Sequence, residues 1–218
     1  MNARSQVMEL TVEGRQIEEV IHSLFHTILL HRTTGKYIYN KEKNFTIGHV
    51  KVQDVDCDFL DFSYVKLVSP ELDTYLKKEV AQFRDMLRSS EGQHSGQISL
   101  EFYRKHKTRW LFQADNSPWE VWTIKLDVTN LSNENERLEF KAKLTEQMSE
   151  KVFSIIDIIN RHEFVPRVPV REEEDTVFDT SFSDIQPYLF RIYHQTTGPS
   201  PNSVGLTMRK FLRGSFQL

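Results

Sequence analysis

The sequence predicts an α+β fold built as one domain. Several segments alternate apolar and polar residues, and successive ones are separated by turn residues, a pattern typical of antiparallel hairpins. Three longer segments repeat apolar residues at steps of three and four, so each predicts a helix whose apolar face must be covered by other elements. At 218 residues, of which 39% are hydrophobic, the chain is long enough to bury one substantial core.

Composition narrows the class of protein. The formal net charge of −3 argues against a general nucleic-acid binder. No apolar run approaches the roughly 18 residues of a membrane span, and residues 1–15 contain no apolar core of a signal peptide. The single cysteine, Cys57, cannot form an internal disulfide, which fits a reducing compartment. We therefore expect a cytoplasmic protein.

The first elements are a strand and a helix. Apolar residues alternate over 8–12, which predicts a short strand ending at Gly14. A helix with one apolar face follows over 17–29. His22 and His26 lie on a neighbouring face at metal-ligand spacing, but no third ligand accompanies them. We interpret both as solvated histidines or histidines at the edge of the core.

Short strands come next. Residues 37–39 and 45–47 flank a polar turn and predict a hairpin. Residues 55–64 predict one longer strand, in which the apolar phase slips near Phe59-Leu60, as a β-bulge there would explain. Aspartates at 54, 56 and 58 lack the glycine and the glutamate of a calcium loop. They predict the polar face of that strand.

A second helix precedes a long hairpin. Ser69-Pro70 is a strong helix start, and the apolar face continues to about Leu87. Strands over 98–102 and 120–128 then predict a hairpin with an unusually long loop, 104–118, at its tip. This loop carries three large apolar side chains in an otherwise polar stretch.

The third helix is the longest. Ser132 or Asn133 caps it, and the apolar pattern continues to about His162. Its C-terminal half contains Ile155-Ile156 and Ile158-Ile159, a stripe too wide for one covered face, which indicates a second contact surface. Beyond it, the charged run 171–175 predicts a solvated loop, and 188–194 predict a last strand. Residues 198–218 form a predicted tail that is flexible or becomes ordered conditionally.

The apolar residues of the long loop are Trp110, Leu111 and Phe112. Each is worth roughly 1.5–3 kcal/mol when buried, so something is expected to cover all three. One interpretation is a plug that folds back onto the chain's own core, and the other is a hook for a partner. The neighbouring basic residues allow a further alternative, in which the loop binds anionic membrane or single-stranded nucleic acid.

The sequence contains no specific catalytic motif. We find no phosphate-binding loop, dinucleotide-binding turn, serine elbow or zinc-protease pair; His162-Glu163 is followed by Phe164-Val165-Pro166 instead. Cys57 lies within a predicted strand, where a structural thiol is the usual role. The expectation is a protein that is not an enzyme and has no cofactor and no metal.

Eight blocks spread in order over nearly the whole chain resemble the autophagy-related protein 101 family. They are Gly14-Arg15-Gln16, Leu30-His31-Arg32-Thr33-Thr34-Gly35-Lys36, Gln53-Asp54-Val55-Asp56-Cys57-Asp58-Phe59, Ser99-Leu100-Glu101-Phe102-Tyr103, Pro118-Trp119-Glu120-Val121-Trp122, Asn160-Arg161-His162-Glu163, Val177-Phe178-Asp179-Thr180 and Gln186-Pro187-Tyr188-Leu189.

The resemblance implies a HORMA domain over 1–197, in which helices pack on one face of a mostly antiparallel sheet. It also implies a non-catalytic adaptor in autophagy initiation. Such a protein pairs with and stabilises the HORMA domain of autophagy-related protein 13 in the Unc-51-like kinase complex. It is cytoplasmic and is recruited to the preautophagosomal structure, the phagophore assembly site.

The resemblance further implies two sites. The family's exposed finger, which recruits downstream autophagy factors, matches Trp110 and Phe112; the family commonly has proline between these aromatics, whereas this chain has Leu111. Loss of proline removes a fixed φ at that position. HORMA pairs typically use the long helix before the C-terminal segment. The resulting candidates for the partner interface are Met148, Val152, Ile155, Ile158 and Ile159.

Overall fold

The computed structural model describes residues 3–40, 44–89, 95–106, 115–161 and 165–196. The strands are β1 (Arg4–Glu13), β2 (Thr33–Thr34), β3 (Tyr37–Tyr39), β4 (Phe45–Ile47), β5 (Val52–Asp56), β6 (Ser63–Leu67), β7 (Ser95–His106), β8 (Asp115–Thr129), β9 (Gln186–Pro187) and β10 (Phe190–Thr196). The α-helices are α1 (Ile17–His31), α2 (Pro70–Ser89) and α3 (Glu134–Ile159), and a 3-10 helix spans Arg171–Thr176.

The main sheet has the strand order β1-β8-β7-β10. The pairs β7–β8 and β7–β10 are antiparallel, whereas β1 and β8 are parallel from Arg4↔Glu120 to Glu13↔Thr129. The pairs β2–β9, β3–β4 and β5–β6 form three small antiparallel sheets. The predicted class is thus confirmed as mixed α+β with mostly antiparallel sheets.

One face of the main sheet is buried in the hydrophobic core. The cross-strand register aligns the alternate apolar residues of all four strands on this face; α2 contacts β7 and β10, and α3 contacts β1. The buried side chains of this face include Met8, Leu10, Val12, Ile98, Leu100, Phe102, Trp122, Ile124, Leu126, Phe190 and Ile192. The period-two pattern therefore identified the core side of each strand correctly.

Helix α1 lies at the centre of the packing, in contact with α2, α3 and β6. Its predicted apolar face is fully buried, and Ser23, His26 and Thr27 are buried as well. The Ser23 and Thr27 hydroxyls donate to the carbonyl oxygens of Glu19 and Ser23, 2.7 Å away in each case. Because these bonds stay within the helix, the polar side chains are satisfied without water.

The prediction of one strand over 55–64 is wrong. The structure has two antiparallel strands, β5 and β6, joined by a turn in which the Cys57 amide donates to the Phe62 carbonyl oxygen at 3.0 Å. The Glu19 carboxylate accepts from the amides of Asp58 and Phe59, which fixes this turn from α1. The phase slip at Phe59-Leu60 therefore marks a reversal of chain direction rather than a bulge.

Most helix ends agree with the predicted caps. The Ser69 hydroxyl accepts from the Leu72 amide at 3.4 Å, and Asn133 rather than Ser132 caps α3 by accepting from the Asn135 amide at 2.9 Å. Helix α3 ends at Ile159, slightly before the predicted end. The charged run 171–175 is solvated as expected, but it folds as a 3-10 helix rather than as a loop.

Candidate interaction surfaces

The long hairpin is formed by β7 and β8, as the sequence predicts. Its strands continue into the expected loop, since Lys105 pairs with Asn116 and His106 with Asp115. A register shift between Phe102 and Tyr103 interrupts the ladder near the base of this extension. Residues 104–106 and 115–118 therefore belong to the two strands rather than to the predicted loop 104–118. Trp110, Leu111 and Phe112 belong to the rest of that loop and lie outside the described residues.

The base of the hairpin is anchored by an aromatic cluster. The Trp119 ring lies 5.6 Å from Phe102 and 5.4 Å from Tyr188, measured between ring centroids. The Arg32 guanidinium lies over the same indole, 5.6 Å from its centroid. Ring pairs and cation–π contacts of this kind add to the stability that burial gives. The two strands that lead to residues 107–114 are therefore held in place at their base by these packed side chains.

Next to this aromatic cluster, Arg32 also forms a buried ion pair with Glu120. The two side chains are 3% and 2% exposed. Arg32 Nε donates to Glu120 Oε1 at 2.9 Å, and Nη2 donates to Oε2 at 2.7 Å. The Trp122 indole N–H also donates to Glu120 Oε1, at 2.8 Å. The carboxylate thus accepts three hydrogen bonds, so both oxygens are satisfied in the core.

Arg32 also reaches the end of α3, where its Nη2 donates to the carbonyl oxygen of Ile159 at 3.0 Å. A cation at a helix C-terminus interacts favourably with the carbonyl groups that lack partners within the helix. We call Arg32, Glu120, Trp122 and the Ile159 carbonyl the anchoring node. It ties the last turn of α3 to strand β8, and therefore to the hairpin.

The five candidate interface residues of α3 differ in how deeply the structure buries them. Met148, Ile155 and Ile159 are buried in the chain's own core, and Val152 and Ile158 are partly buried against it. Helix α3 packs this side against α1 and β1. The apolar period thus identified the inward face of the helix.

Other apolar residues of α3 face solvent. The Phe153 side chain is 72% exposed and that of Ile156 is 37% exposed, three residues later on the same side of the helix; Leu138 is also exposed. Sequence reasoning missed Phe153, because it falls outside the stripe that defines the core face. The sequence does carry one signal for this exposed side. The apolar stripe of α3 is too wide for one covered face, and Ile156 is part of the excess.

The described residues include one free thiol, that of Cys57. Burial raises the pKa of the Cys57 thiol to about 11, so the thiolate that a nucleophile needs is disfavoured. Its sulfur lies 3.8 Å from the Ser23 hydroxyl. Among these residues, no three histidine, cysteine or carboxylate side chains are grouped as a metal site requires.

The two histidines of α1 are more deeply buried than the solvated or core-edge positions that the sequence predicts. His26 is buried and His22 is half-buried, and their rings stack at 5.9 Å. Burial lowers the pKa of each imidazole to about 4, with Lys77 acting in the same direction on His22 and His22 on His26. Tyr64 and Lys66 of β6 and Asp73 and Lys77 of α2 face the pair.

We expect these histidines to make the fold sensitive to acid. An unfolded histidine titrates near pH 6.5. Above that pH both states are neutral, and below it the unfolded chain binds protons that the folded chain does not bind until about pH 4. We expect the free energy of unfolding to fall between pH 6.5 and 4, on the order of 2 kcal/mol for each histidine.

Urea unfolding of the His26→Gln variant at pH 7 and pH 5 measures this contribution. The variant is expected to lose part of the difference between the two pH values, whereas His49→Gln at an exposed position retains it. Equal pH dependence in both variants would show that His26 does not carry the effect.

Comparisons with known proteins show the family to which the chain belongs. A family model described as "Autophagy-related protein 101" matches residues 9–172. The chain belongs to the autophagy-related protein 101 family. The protein of that name from Xenopus tropicalis is 50% identical, and the one from Homo sapiens is 49% identical, each over 218 residues that cover 100% of both chains. The predicted family resemblance is thus confirmed.

Membership of the autophagy-related protein 101 family gives the chain a role in autophagy. A more distant member from Arabidopsis thaliana is 24% identical over 184 residues, which are 75% of this chain and 79% of that protein. Among the described helices, none has the length and the apolar character needed to cross a membrane.

Proposed function

We propose that this chain is a non-catalytic adaptor that binds a second protein through the solvent side of α3. The proposed partner is the HORMA domain of autophagy-related protein 13 in the Unc-51-like kinase complex, and the chain itself is proposed to be a HORMA domain. The exposure of Phe153 is the observation that carries this proposal. A phenylalanine is worth roughly 1.5–3 kcal/mol on burial, so its exposure on an ordered helix favours a role in binding.

The anchoring node supports the same surface. Arg32 fixes the last turn of α3, which includes Ile156 and follows the turn that carries Phe153. An apolar surface on a rigid helix loses little conformational entropy when a partner covers it. This side of α3 therefore has the apolar character and the rigidity that stable pairing needs.

The hairpin supplies a second proposed function, the recruitment of downstream autophagy factors to the phagophore assembly site. The family finger matches Trp110 and Phe112 in this chain, with Leu111 between them. The aromatic cluster around Trp119 fixes the hairpin arms from which this segment extends. Large aromatic side chains are enriched among residues that dominate binding energy.

Phe153→Glu tests the pairing surface. The substitution replaces an apolar contact by a charge, so we expect affinity for the partner HORMA domain to fall at least tenfold, by about 1.5 kcal/mol or more. Folding should change by no more than about 0.5 kcal/mol, because the side chain is exposed. Co-purification and isothermal titration calorimetry of the two proteins measure the loss.

Ser154→Glu is the matched control. It introduces the same charge at the next position, also exposed, but on a different side of α3. We expect this variant to bind nearly as well as the wild type. Undiminished co-purification of Phe153→Glu would contradict the assignment of this surface.

A further inference from the structure

A small cleft opens where α1, β6 and α2 meet, apart from the surfaces of α3 and the hairpin. Its volume, including the part open to solvent, is about 250 Å³. Two residues from each element line it: His22 and His26 from α1, Tyr64 and Lys66 from β6, and Asp73 and Lys77 from α2. Every one of these side chains carries a polar or charged group, so the cleft is suited to a polar ligand.

Positive charge exceeds negative charge in this cleft. The Lys66 ammonium pairs with Asp73 Oδ2, which neutralises the only carboxylate of the lining. Lys77 is exposed and makes no ion pair with the residues that the structure describes. With both imidazoles neutral, the lining carries a net charge of about +1, from two lysines and one aspartate. A cation is disfavoured by this balance, and an anion is favoured.

The cleft also contains unused hydrogen-bonding capacity. The His26 side chain is 4% exposed, yet its Nδ1 is buried without a hydrogen-bond partner in the structure. Its Nε2 lies 3.9 Å from Asp73 Oδ1, too far for a hydrogen bond, and that oxygen is likewise unpartnered. The Tyr64 ring stacks on His26 with centroids 5.6 Å apart. A buried polar atom without a partner is uncommon. The Asp73 oxygen can only accept, so it does not favour an anion, whereas His26 Nδ1 can donate to one when it carries the ring proton.

We propose that this cleft binds a small oxyanion of the phosphate class. Lys77 supplies the uncompensated charge, and Tyr64, His22 and His26 of the same lining carry O–H or N–H groups that can donate. A phosphate accepts hydrogen bonds through several oxygens at once, which suits a lining that contains several such groups. The same chemistry is offered by inorganic phosphate and by the phosphate monoester of a lipid headgroup.

Binding of this anion is coupled to protonation of the cleft. A bound phosphate favours the charged form of the two imidazoles, so it binds more tightly as they become protonated. The groups that face them are Tyr64 and Lys66 from β6 and Asp73 and Lys77 from α2. Burial keeps both histidines neutral without a ligand, with the pKa of each at about 4. For sulfate, an oxyanion whose own charge does not change over this range, affinity is therefore expected to rise between pH 7 and pH 5.

Inorganic phosphate added to the full-length protein tests the proposal. Chemical shifts of the histidine ring C–H groups are followed by NMR at pH 6, with ionic strength held constant by chloride and with His22 and His26 signals assigned from their Gln variants. We expect saturable shifts of these two signals. Lys77→Gln should weaken binding about tenfold, because it removes the free charge.

Lys78→Gln is the matched control, since it removes the same charge from the next exposed residue, which does not line the cleft. It should leave the phosphate affinity unchanged. Shifts that do not saturate, or that weaken equally in the two variants, would overturn the site. Vesicles of phosphatidylcholine with 5% phosphatidylinositol phosphate, compared at pH 6 with an equal concentration of inorganic phosphate, distinguish a lipid headgroup from the free anion as the source.

Discussion

Replacement of Arg32 by methionine is expected to lower the free energy of unfolding by about 3–5 kcal/mol. Methionine retains much of the side-chain volume but leaves the Glu120 carboxylate buried without its cation. It also removes the donor to the Ile159 carbonyl oxygen. Urea unfolding at pH 7 measures the loss, which is a large fraction of the 5–15 kcal/mol typical of a domain.

Arg161→Met is the control for this prediction. Arg161 pairs with Asp157 at 2.8 Å, but both side chains are more than half exposed, so its removal should cost less than about 1 kcal/mol. The double variant Arg32→Met with Glu120→Gln should regain part of the loss, since no uncompensated charge is then buried. If Arg32→Met and Arg161→Met had equal effects, the anchoring node would not stabilise the fold.

The pairing of Arg32 with Glu120 illustrates what the sequence could not predict. Both residues occur in blocks that carry the family resemblance, yet 88 positions separate them and no local pattern connects them. Their contact requires α1 to end beside β8, which follows from how the sheet is assembled. Periodicity predicts which face of an element is buried, but not which polar groups meet there.

The turn between β5 and β6 is a second example. Residues 57–62 contain neither glycine nor proline, so the strongest signals for a turn are missing. The turn is held instead by Glu19, which accepts from two of its amides across a separation of about 40 residues. A slip in the apolar phase was visible, but a bulge and a reversal of direction produce the same slip.

Helix α3 shows why the five predicted interface residues are buried or half-buried rather than exposed. The same period of three and four that predicts a helix also selects its inward face, so Met148, Ile155 and Ile159 are core residues. A residue that binds a partner lies off that face and therefore departs from the period, as Phe153 does. An apolar stripe that is too wide for one covered face is therefore the sequence signal for a partner-binding side. The apolar residues that lie outside the core face are the ones to mutate.

The double variant Trp110→Ala with Phe112→Ala is expected to abolish most autophagosome formation while leaving folding and pairing intact. Each truncation at a binding hot spot costs about 1.5 kcal/mol or more, so the pair weakens recruitment of downstream factors by about a hundredfold or more. Counting fluorescent autophagosomes in cells that express only the variant measures the result. Co-purification of the kinase complex from the same cells reports on pairing.

Thermal unfolding of the isolated Trp110→Ala, Phe112→Ala protein distinguishes the two interpretations of this segment, a hook for a partner and a plug over the chain's own core. A hook leaves the melting temperature nearly unchanged, whereas a plug over the core loses about 3–5 kcal/mol for each large side chain removed, which lowers it by many degrees. Arg104→Gln with Lys105→Gln tests the charge of the hairpin arms alone. If that charge variant reproduced the loss of autophagosomes, the basic residues rather than the aromatic ones would recruit the downstream component.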